Sequence, residues 1–232
     1  MMPAKQILRY STVLAISLFL LLPTDANAQY KKKKKEKTEE PDTIPLFRNI
    51  AVSFDAVGII QDVTGRYGQY EGAVRVNLKD RYFPVLELGL GRGNKTNHIT
   101  GVHFKTSAPY GKVGCDFNIL KNKHDIYRLY AGGRYAFTSF KYDIDEIPVT
   151  DPEWGEEVMY GGKDQKCSYH WVEALVGIDA KIWGPFRMGW SVRYHARVHK
   201  KYGDMGKPWY VPGYGRVDSS PVTATFNIGF EF

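Results

Sequence analysis

The chain has 232 residues, with 14% aromatic residues, 16 Tyr, 12 Phe and 23 Gly. This composition favours strands and bends over packed helices, and the length suits a single all-β domain. The formal charge is +7. Only about +4 of it lies beyond the basic amino-terminal segments, which is too little to indicate a nucleic-acid partner.

The first 28 residues have the pattern of a secretory signal peptide. Lys5 and Arg9 precede an apolar run, Ser11 to Leu22, and Ala26-Asn27-Ala28 is an A-x-A cleavage pattern. The run is shorter than the ~20 residues of a membrane-spanning helix, which disfavours an uncleaved anchor. We therefore expect Sec-type export and cleavage after Ala28. The residue directly after the predicted cleavage site is not Cys, so we do not expect a lipoprotein.

Residues 29–46 form a charged segment that contains KKKKKEK and TEEPDTIP. It has almost no apolar residues to bury, which predicts a disordered periplasmic linker. The run Lys31 to Lys35 is either solvated or in contact with anionic lipid headgroups or the cell-wall polymer.

From Phe47 to Phe232 apolar and polar residues alternate, which predicts strands with one apolar face. The first such stretch runs from Ile50 to Ile60. About eight stretches follow this pattern, and their connections alternate between short and long. After a modest first connection at 62–67, short turns are predicted at 80–81, 121–124 and 183–185, and longer connections at 92–109, 141–167 and 200–220.

The last stretch, Val222 to Phe232, reads VTATFNIGFEF and closes on an aromatic residue. Bacterial outer-membrane β-barrels commonly end in such a strand. The region from Phe47 onward resembles the small eight-stranded family that includes OmpA and OmpX. In composition it is also similar to uncharacterised Bacteroidota-type outer-membrane proteins of Gram-negative bacteria, for which membership implies a location but no activity.

This resemblance implies an all-β fold, a closed antiparallel up-and-down transmembrane β-barrel of about eight strands. It also implies that Phe230 and Phe232 belong to a signal read by the outer-membrane assembly machinery. Even strand numbers, short periplasmic turns and longer outer loops are typical of such barrels. The alternative is a soluble secreted β-barrel that turns the same apolar faces inward.

In the membrane orientation the polar strand faces line the lumen. An interior of about eight strands is filled by side chains, and buried charges of both signs are expected to pair, since a lone buried charge is costly. The predicted lumen charge network consists of Glu71, Arg75, Glu87, Asp116, Arg128, Arg134, Glu173, Asp179, Arg187, Arg193, Arg197 and Glu231. A narrow porin-like channel is the alternative.

Several other motifs do not predict a site. His195 and His199 share a strand face by spacing, but lie roughly 13 Å apart, so we interpret them as lumen and rim residues and expect no metal. The glycines of Gly89-x-Gly91-x-Gly93 are not followed by a P-loop Lys-Ser/Thr or a helix, so they indicate bends and tapers, and no cofactor is expected. Cys115 and Cys167 are expected to be free thiols, because their predicted positions point apart.

One enzymatic hypothesis arises from Ser168 and His170, which are two residues apart and so share the outward face. Some outer-membrane barrels that trim or acylate lipopolysaccharide use such a pair, in which His takes the hydroxyl proton. No third group or oxyanion donor can be named, so no catalytic residues are predicted. A lipopolysaccharide-modifying hydrolase or acyltransferase is therefore the alternative to a non-enzymatic barrel.

The sequence thus predicts a monomeric, non-enzymatic barrel in contact with outer-membrane lipid and lipopolysaccharide, whose outer loops have structural or binding roles toward an extracellular ligand. Opposite charges in two loops suggest that the loops meet. The acidic loop contains Asp143, Asp145, Glu146, Asp151, Glu153, Glu156 and Glu157, and the basic loop contains Lys200, Lys201, Lys207 and Arg216.

Overall fold

The computed structural model describes residues 45–98, 100–150 and 153–232. The predicted signal peptide, and the linker as far as residue 44, lie outside these residues. The elements are β1 (Phe47–Asp55), α1 (Ala56–Thr64), β2 (Tyr67–Leu78), β3 (Tyr82–Thr96), β4 (His103–Asn118), β5 (Tyr127–Thr150), β6 (Glu157–Trp183), β7 (Phe186–Lys201), β8 (Tyr210–Val211), β9 (Gly215–Arg216) and β10 (Val222–Glu231).

Eight of these strands form a closed barrel in the order β1-β10-β7-β6-β5-β4-β3-β2, and every neighbouring pair is antiparallel. The strands β8 and β9 form a separate two-stranded ribbon. The predicted fold class, an all-β up-and-down barrel of eight strands, is confirmed. We call the end with the turns between β2 and β3, β4 and β5, and β6 and β7 the turn end, and the opposite end the loop end.

The barrel wall turns its apolar side chains outward and its polar ones inward. On β6, Val172, Val176 and Ile178 are exposed, whereas the alternate residues Glu173 and Asp179 are buried. The same alternation holds on β3, where Leu86 and Leu88 flank the buried Glu87. This arrangement contradicts the soluble alternative, in which the apolar faces point inward.

The structure differs from the predicted strand at β1, which ends at Asp55 instead of continuing to Ile60. The Asp55 side chain caps α1, because it accepts hydrogen bonds from the backbone N–H groups of Val57 and Gly58, at 3.1 Å each. Beyond this cap every residue from Ala56 to Ile60 is apolar, so the alternation ends at Asp55 and the predicted strand extended past it. No helix in the described part of the chain is long and apolar enough to cross a membrane.

Two of the predicted loops are mostly strand. β3 continues to Thr96 and β4 begins at His103, so the connection predicted at 92–109 is short. β5 continues to Thr150 and β6 begins at Glu157, which turns most of 141–167 into a two-stranded extension of the wall with register shifts near Ile144. Toward the loop end the alternation continues with the opposite sense: on β5 the apolar Phe140, Tyr142 and Ile144 point inward and are buried, and polar residues alternate with them. The strands therefore extend into a stretch where the interior, and not the exterior, is apolar.

Candidate functional site

The interior of the barrel contains a buried cluster of charges at mid-height. The Lys112 Nζ lies 2.9 Å from a Glu71 oxygen and 3.1 Å from a Glu173 oxygen. The Arg193 Nη1 lies 2.8 Å from Glu87, and 3.3 Å from both Glu71 and Glu173. All five side chains are almost completely buried, and the opposite charges meet in direct contact.

Arginines extend this cluster toward the turn end. Arg134 binds Asp116 through two nitrogens, at 2.7 and 2.8 Å, and also donates to Glu87 at 3.1 Å. Arg75 lies 3.2 Å from Asp116 and 3.4 Å from Asp179. Each arginine therefore bridges two acids from different strands.

The series of ion pairs continues to the turn end of the barrel. Arg187 lies 2.6 Å from Asp179 and 3.0 Å from Glu231, and Arg128 lies 2.7 Å from Glu231 and 3.9 Å from Asp80. We call this continuous set of ion pairs the charge ladder. Its members are Glu71, Arg75, Asp80, Glu87, Lys112, Asp116, Arg128, Arg134, Glu173, Asp179, Arg187, Arg193 and Glu231. A nearby cavity of about 30 Å³ beside Arg75 has room for little more than one water molecule.

The structure brings eleven of the twelve residues of the predicted lumen network into the charge ladder. The exception is Arg197, which is exposed near the loop end and forms no ion pair within the described residues. Lys112 and Asp80 belong to the ladder but were not in the predicted set. The position of Lys112, on the same face of β4 as Asp116, was the sequence signal for it.

Above the charge ladder the interior is aromatic. The segment 202–221, which we call the plug, folds into the loop end of the barrel and carries the β8-β9 ribbon. The Tyr210 hydroxyl donates to the Gly68 carbonyl at 3.0 Å, and the Tyr142 hydroxyl donates to the Gly206 carbonyl at 2.9 Å. The buried cluster around the plug comprises Phe104, Ala108, Tyr110, Ala136, Phe140, Tyr142, Ile144, Cys167, Tyr169, Trp171, Tyr210, Val211, Tyr214 and Val217.

The glycines of β3 make room for this plug. A Cβ atom on Gly91 would lie 2.6 Å from the Pro212 Cα, and one on Gly93 would lie 2.9 Å from the Tyr210 ring. A Cβ on Gly89 would meet the Tyr110 ring at 2.4 Å. The Gly-x-Gly-x-Gly pattern therefore serves close packing inside the barrel.

A larger cavity, of about 370 Å³, lies in the loop end between the plug, α1 and β10. Lys112 and Arg193 are among the residues that line it, and the charge ladder begins there. His195 and Thr223 lie on another wall, with the His195 Nε2 3.2 Å from the Thr223 hydroxyl. This cavity is large enough to hold a small molecule.

His195 and His199 lie on opposite faces, so the prediction that they share a face was wrong. A register shift pairs His170 with His199 but Trp171 with Arg197, which turns His199 outward. Its ring lies 5.9 Å from that of His170, whereas His195 points inward and contacts the Tyr214 carbonyl at 3.3 Å. The residues that the structure describes contain no group of three or more His, Cys, Asp or Glu placed to bind a metal.

Ser168 and His170 both face outward near the loop end. The His170 Nδ1 lies 2.8 Å from the Tyr135 hydroxyl, so Tyr135 is the hydrogen-bond partner that the structure gives this ring. Cys115 and Cys167 are both free thiols; Cys167 is buried in the interior cluster and Cys115 lies on the outward face of β4.

The loops at this end pair their charges internally. Lys141 and Asp164 pair within the β5-β6 extension at 2.9 Å, and Lys207 donates to Asp218 within the plug. The Lys207 hydrogen bond lowers the pKa of Asp218. The two loops do meet, and the uncharged Tyr142–Gly206 hydrogen bond described above is one of the contacts between them.

Fold and interior together define a closed eight-stranded barrel with an apolar exterior and a filled, charged and aromatic interior. The chain belongs to the family described as domain of unknown function DUF6048, whose model matches residues 9–232. A comparison with curated proteins gave no match. Among solved structures, the chain is similar to a major outer membrane protein from Thermus thermophilus, with 14% identity, coverage of 79% of this chain and 98% of that chain, and a TM-score of 0.37.

Proposed function

We propose that the protein is a monomeric, non-enzymatic outer-membrane β-barrel whose loop end faces outward and has a structural or binding role. The observation that supports this most directly is the apolar belt on the exterior of a closed barrel. From Val172 to Ile182 the outward face of β6 is apolar over ten residue steps, which spans roughly 25 Å at about 3.3 Å per residue and a tilt of about 40°. That height equals the apolar band of outer-membrane barrels.

Exposed aromatic residues lie toward both ends of this belt. Tyr82 and Tyr127 follow the turns at the turn end, and Tyr70, Tyr135 and Tyr194 lie nearer the loop end; all five are outward and exposed. Tyrosines at these levels are favourable in a membrane, because the ring is apolar and the hydroxyl reaches the headgroups. They support contact with outer-membrane lipid and lipopolysaccharide.

The lipid-modifying alternative has less support. Ser168 and His170 do share the outward face, but no hydrogen bond joins their side chains in the described residues, and the His170 Nδ1 instead meets the Tyr135 hydroxyl at 2.8 Å. An acyl transfer would need the His nitrogen to reach the serine hydroxyl and a third group to orient the ring. We therefore propose the non-enzymatic role.

A charge introduced into the belt tests the membrane assignment. Val176→Arg places a cation near the middle of the outward face, where it costs about 2–4 kcal/mol in a bilayer. We expect it to reduce folding into phospholipid vesicles, measured as the fraction of protein that migrates faster on an unheated detergent gel than after boiling.

The matched control is Ser139→Arg, because Ser139 is also outward and exposed but lies beyond the apolar belt on β5. It should fold like the wild type. If the wild type stays soluble without detergent and tolerates both substitutions equally, the protein does not reside in a membrane and the proposal is wrong.

The proposed partner in assembly is the outer-membrane insertion machinery, through the carboxy-terminal strand. Phe230 and Phe232 are exposed on the outward face, and the backbone of Phe232 closes the barrel by exchanging two hydrogen bonds with Ile50. Phe232→Ala keeps those backbone bonds and removes only the ring. We expect it to lower the amount of protein in the outer-membrane fraction of expressing cells.

Trp183→Ala is the control for this experiment, since Trp183 is an equally exposed aromatic residue at the same end of the barrel. It should leave the yield unchanged. If both variants reach the outer-membrane fraction in equal amounts, Phe232 is not part of the assembly signal.

A further inference from the structure

The cavity at the loop end exists because the wall is incomplete there. β1 ends at Asp55 opposite Asn227, while β10 continues to Val222 paired only with β7. α1 takes the place of the missing part of β1. A Cβ on Gly58 would lie 2.6 Å from the Gln69 carbonyl, and one on Gly68 would lie 2.2 Å from the Asp62 backbone, so two glycines let the helix pack closely against β2.

Behind α1 the helix and the plug border the cavity of about 370 Å³, which is partly open at its rim. This volume lies within the range of small-molecule sites in proteins, roughly 300–1,000 Å³. Its lining combines aromatic rings, including Tyr67 and Tyr210, with the hydroxyl groups of Ser219, Thr223 and Thr225. Rings and hydroxyl groups together suit a ligand that is rich in hydroxyl groups itself.

The charged groups that line the cavity are mostly basic. They are Lys112, Arg193 and Arg216, against the single carboxylate of Asp55, and the imidazole of His195 lies beside them. The Asp55 oxygens already accept three backbone N–H groups, from Val57, Gly58 and Phe226. That carboxylate is therefore occupied, and does not offer a partner to a ligand cation.

One of the basic groups is free to meet a ligand. Lys112 and Arg193 are buried and already paired with acids of the charge ladder. Arg216 lies at the rim, where its guanidinium stacks over the Trp209 ring at 5.7 Å and forms no ion pair with a described residue. Guanidinium groups bind carboxylate and phosphate oxygens with strong, charge-assisted hydrogen bonds.

We propose that this cavity binds a small, hydroxyl-rich anion, namely a sugar that carries a phosphate or carboxylate group. Arg216 receives the anionic group at the rim, and the hydroxyl groups of the lining bind the sugar ring. The same chemistry occurs in a free sugar phosphate and in the phosphorylated sugars of a lipopolysaccharide headgroup. This proposal rests on the proposed binding role of the loop end, and it names the class of ligand.

Calorimetric titration of the detergent-folded wild-type protein with glucose 6-phosphate tests the proposal at low ionic strength. We expect binding of glucose 6-phosphate, weaker binding of inorganic phosphate, and no binding of uncharged glucose. Arg216→Gln should weaken the binding of glucose 6-phosphate about tenfold, the size of effect expected from one charge-assisted contact at a partly exposed site.

Arg92→Gln is the matched control. Arg92 lies near the same end and loses the same charge, but it points outward beside the Tyr70 ring, outside the cavity. It should bind glucose 6-phosphate as the wild type does. Thr223→Val, which removes only a hydroxyl from the lining, should also weaken binding.

Competition by purified lipopolysaccharide micelles separates the two sources of the ligand. Displacement of glucose 6-phosphate by the micelles identifies a headgroup, and its absence identifies a free sugar. Failure of glucose 6-phosphate to bind, or glucose binding that equals it and is unaffected by Arg216→Gln, would overturn the proposal. Because the protein is folded in detergent beforehand, either failure would leave the membrane assignment intact.

Discussion

Glu173 lies where the two interior cations of the mid-height cluster meet. Its side chain is fully buried, lies 3.1 Å from the Lys112 Nζ and 3.3 Å from the Arg193 Nη1, and accepts a 2.8 Å hydrogen bond from the Trp171 indole. Removing one partner of a buried ion pair leaves the other charges uncompensated, at ~3–5 kcal/mol. We therefore expect Glu173→Gln to lower the denaturant midpoint, measured by loss of the fast-migrating band in detergent.

Glu157→Gln provides the comparison, because Glu157 lies at the exposed start of β6, far from the ladder. The denaturant midpoint of the Glu157→Gln variant should equal that of the wild type. If Glu173→Gln is tolerated just as well, water must reach the interior and replace the lost charge.

For single residues, the sequence predicted which face of the barrel wall a side chain occupies better than it predicted which side chains it contacts. Period-two alternation assigns Glu173, Arg193 and Lys112 to the polar side of their strands. It does not show that Lys112 lies between Glu71 and Glu173, since those acids come from other strands and the stagger between strands sets their levels. A single register shift also defeats the pattern, as His199 shows by turning outward four residues after the inward His195.

Among the elements, the plug depends on the glycine-rich inner face of β3. Gly91→Ala introduces a Cβ that would lie 2.6 Å from backbone of Pro212, a contact that real Cβ atoms essentially never show. The plug must shift, while the paired strands of the wall can stay in place. We expect faster cleavage within 202–221 by an added protease, with the heat-dependent gel shift of the barrel retained.

Gly133→Ala is the control for the plug, because Gly133 points outward on β5 and its Cβ would meet only the Glu173 carbonyl oxygen at an ordinary 3.7 Å. Its protease sensitivity should match that of the wild type. An unchanged cleavage rate in Gly91→Ala would mean that the plug does not depend on this contact.

The elements that the sequence did not predict share one physical reason. Hydropathy alternation reports which face is buried, whereas strand and helix ends depend on backbone hydrogen bonds. At Asp55 a side-chain cap starts α1 within a run that is apolar at every position from Ala56 to Ile60. Beyond Lys141 the backbone pairing of β5 with β6 continues although the apolar side chains now face inward. The inserted plug, which holds few regular elements, gave no periodic pattern at all.

For the whole molecule, the barrel interior has two layers of different chemistry. The charge ladder fills the part toward the turn end, and the plug with its aromatic contacts fills the part toward the loop end. Eight strands leave room mainly for side chains in a barrel, and toward the turn end basic and acidic side chains from seven of the eight strands occupy that room. Alternation and strand count were enough to predict a side-chain-filled layer toward the turn end. They did not predict that the plug fills the layer toward the loop end.

These two layers make a prediction about ion flow. The wild type should show no steady channel in planar-bilayer recordings, because both layers obstruct the axis. A variant in which residues 204–218 are replaced by a short Gly-Ser linker should also stay closed, since the bidentate Arg134–Asp116 pair and the Arg187 pairs with Asp179 and Glu231 all lie below the plug. If only the linker variant conducts ions, the plug is what closes the barrel. A stable ohmic conductance from the intact protein would mean that water fills the charge ladder, and the porin-like channel would then replace the closed barrel as the proposed function.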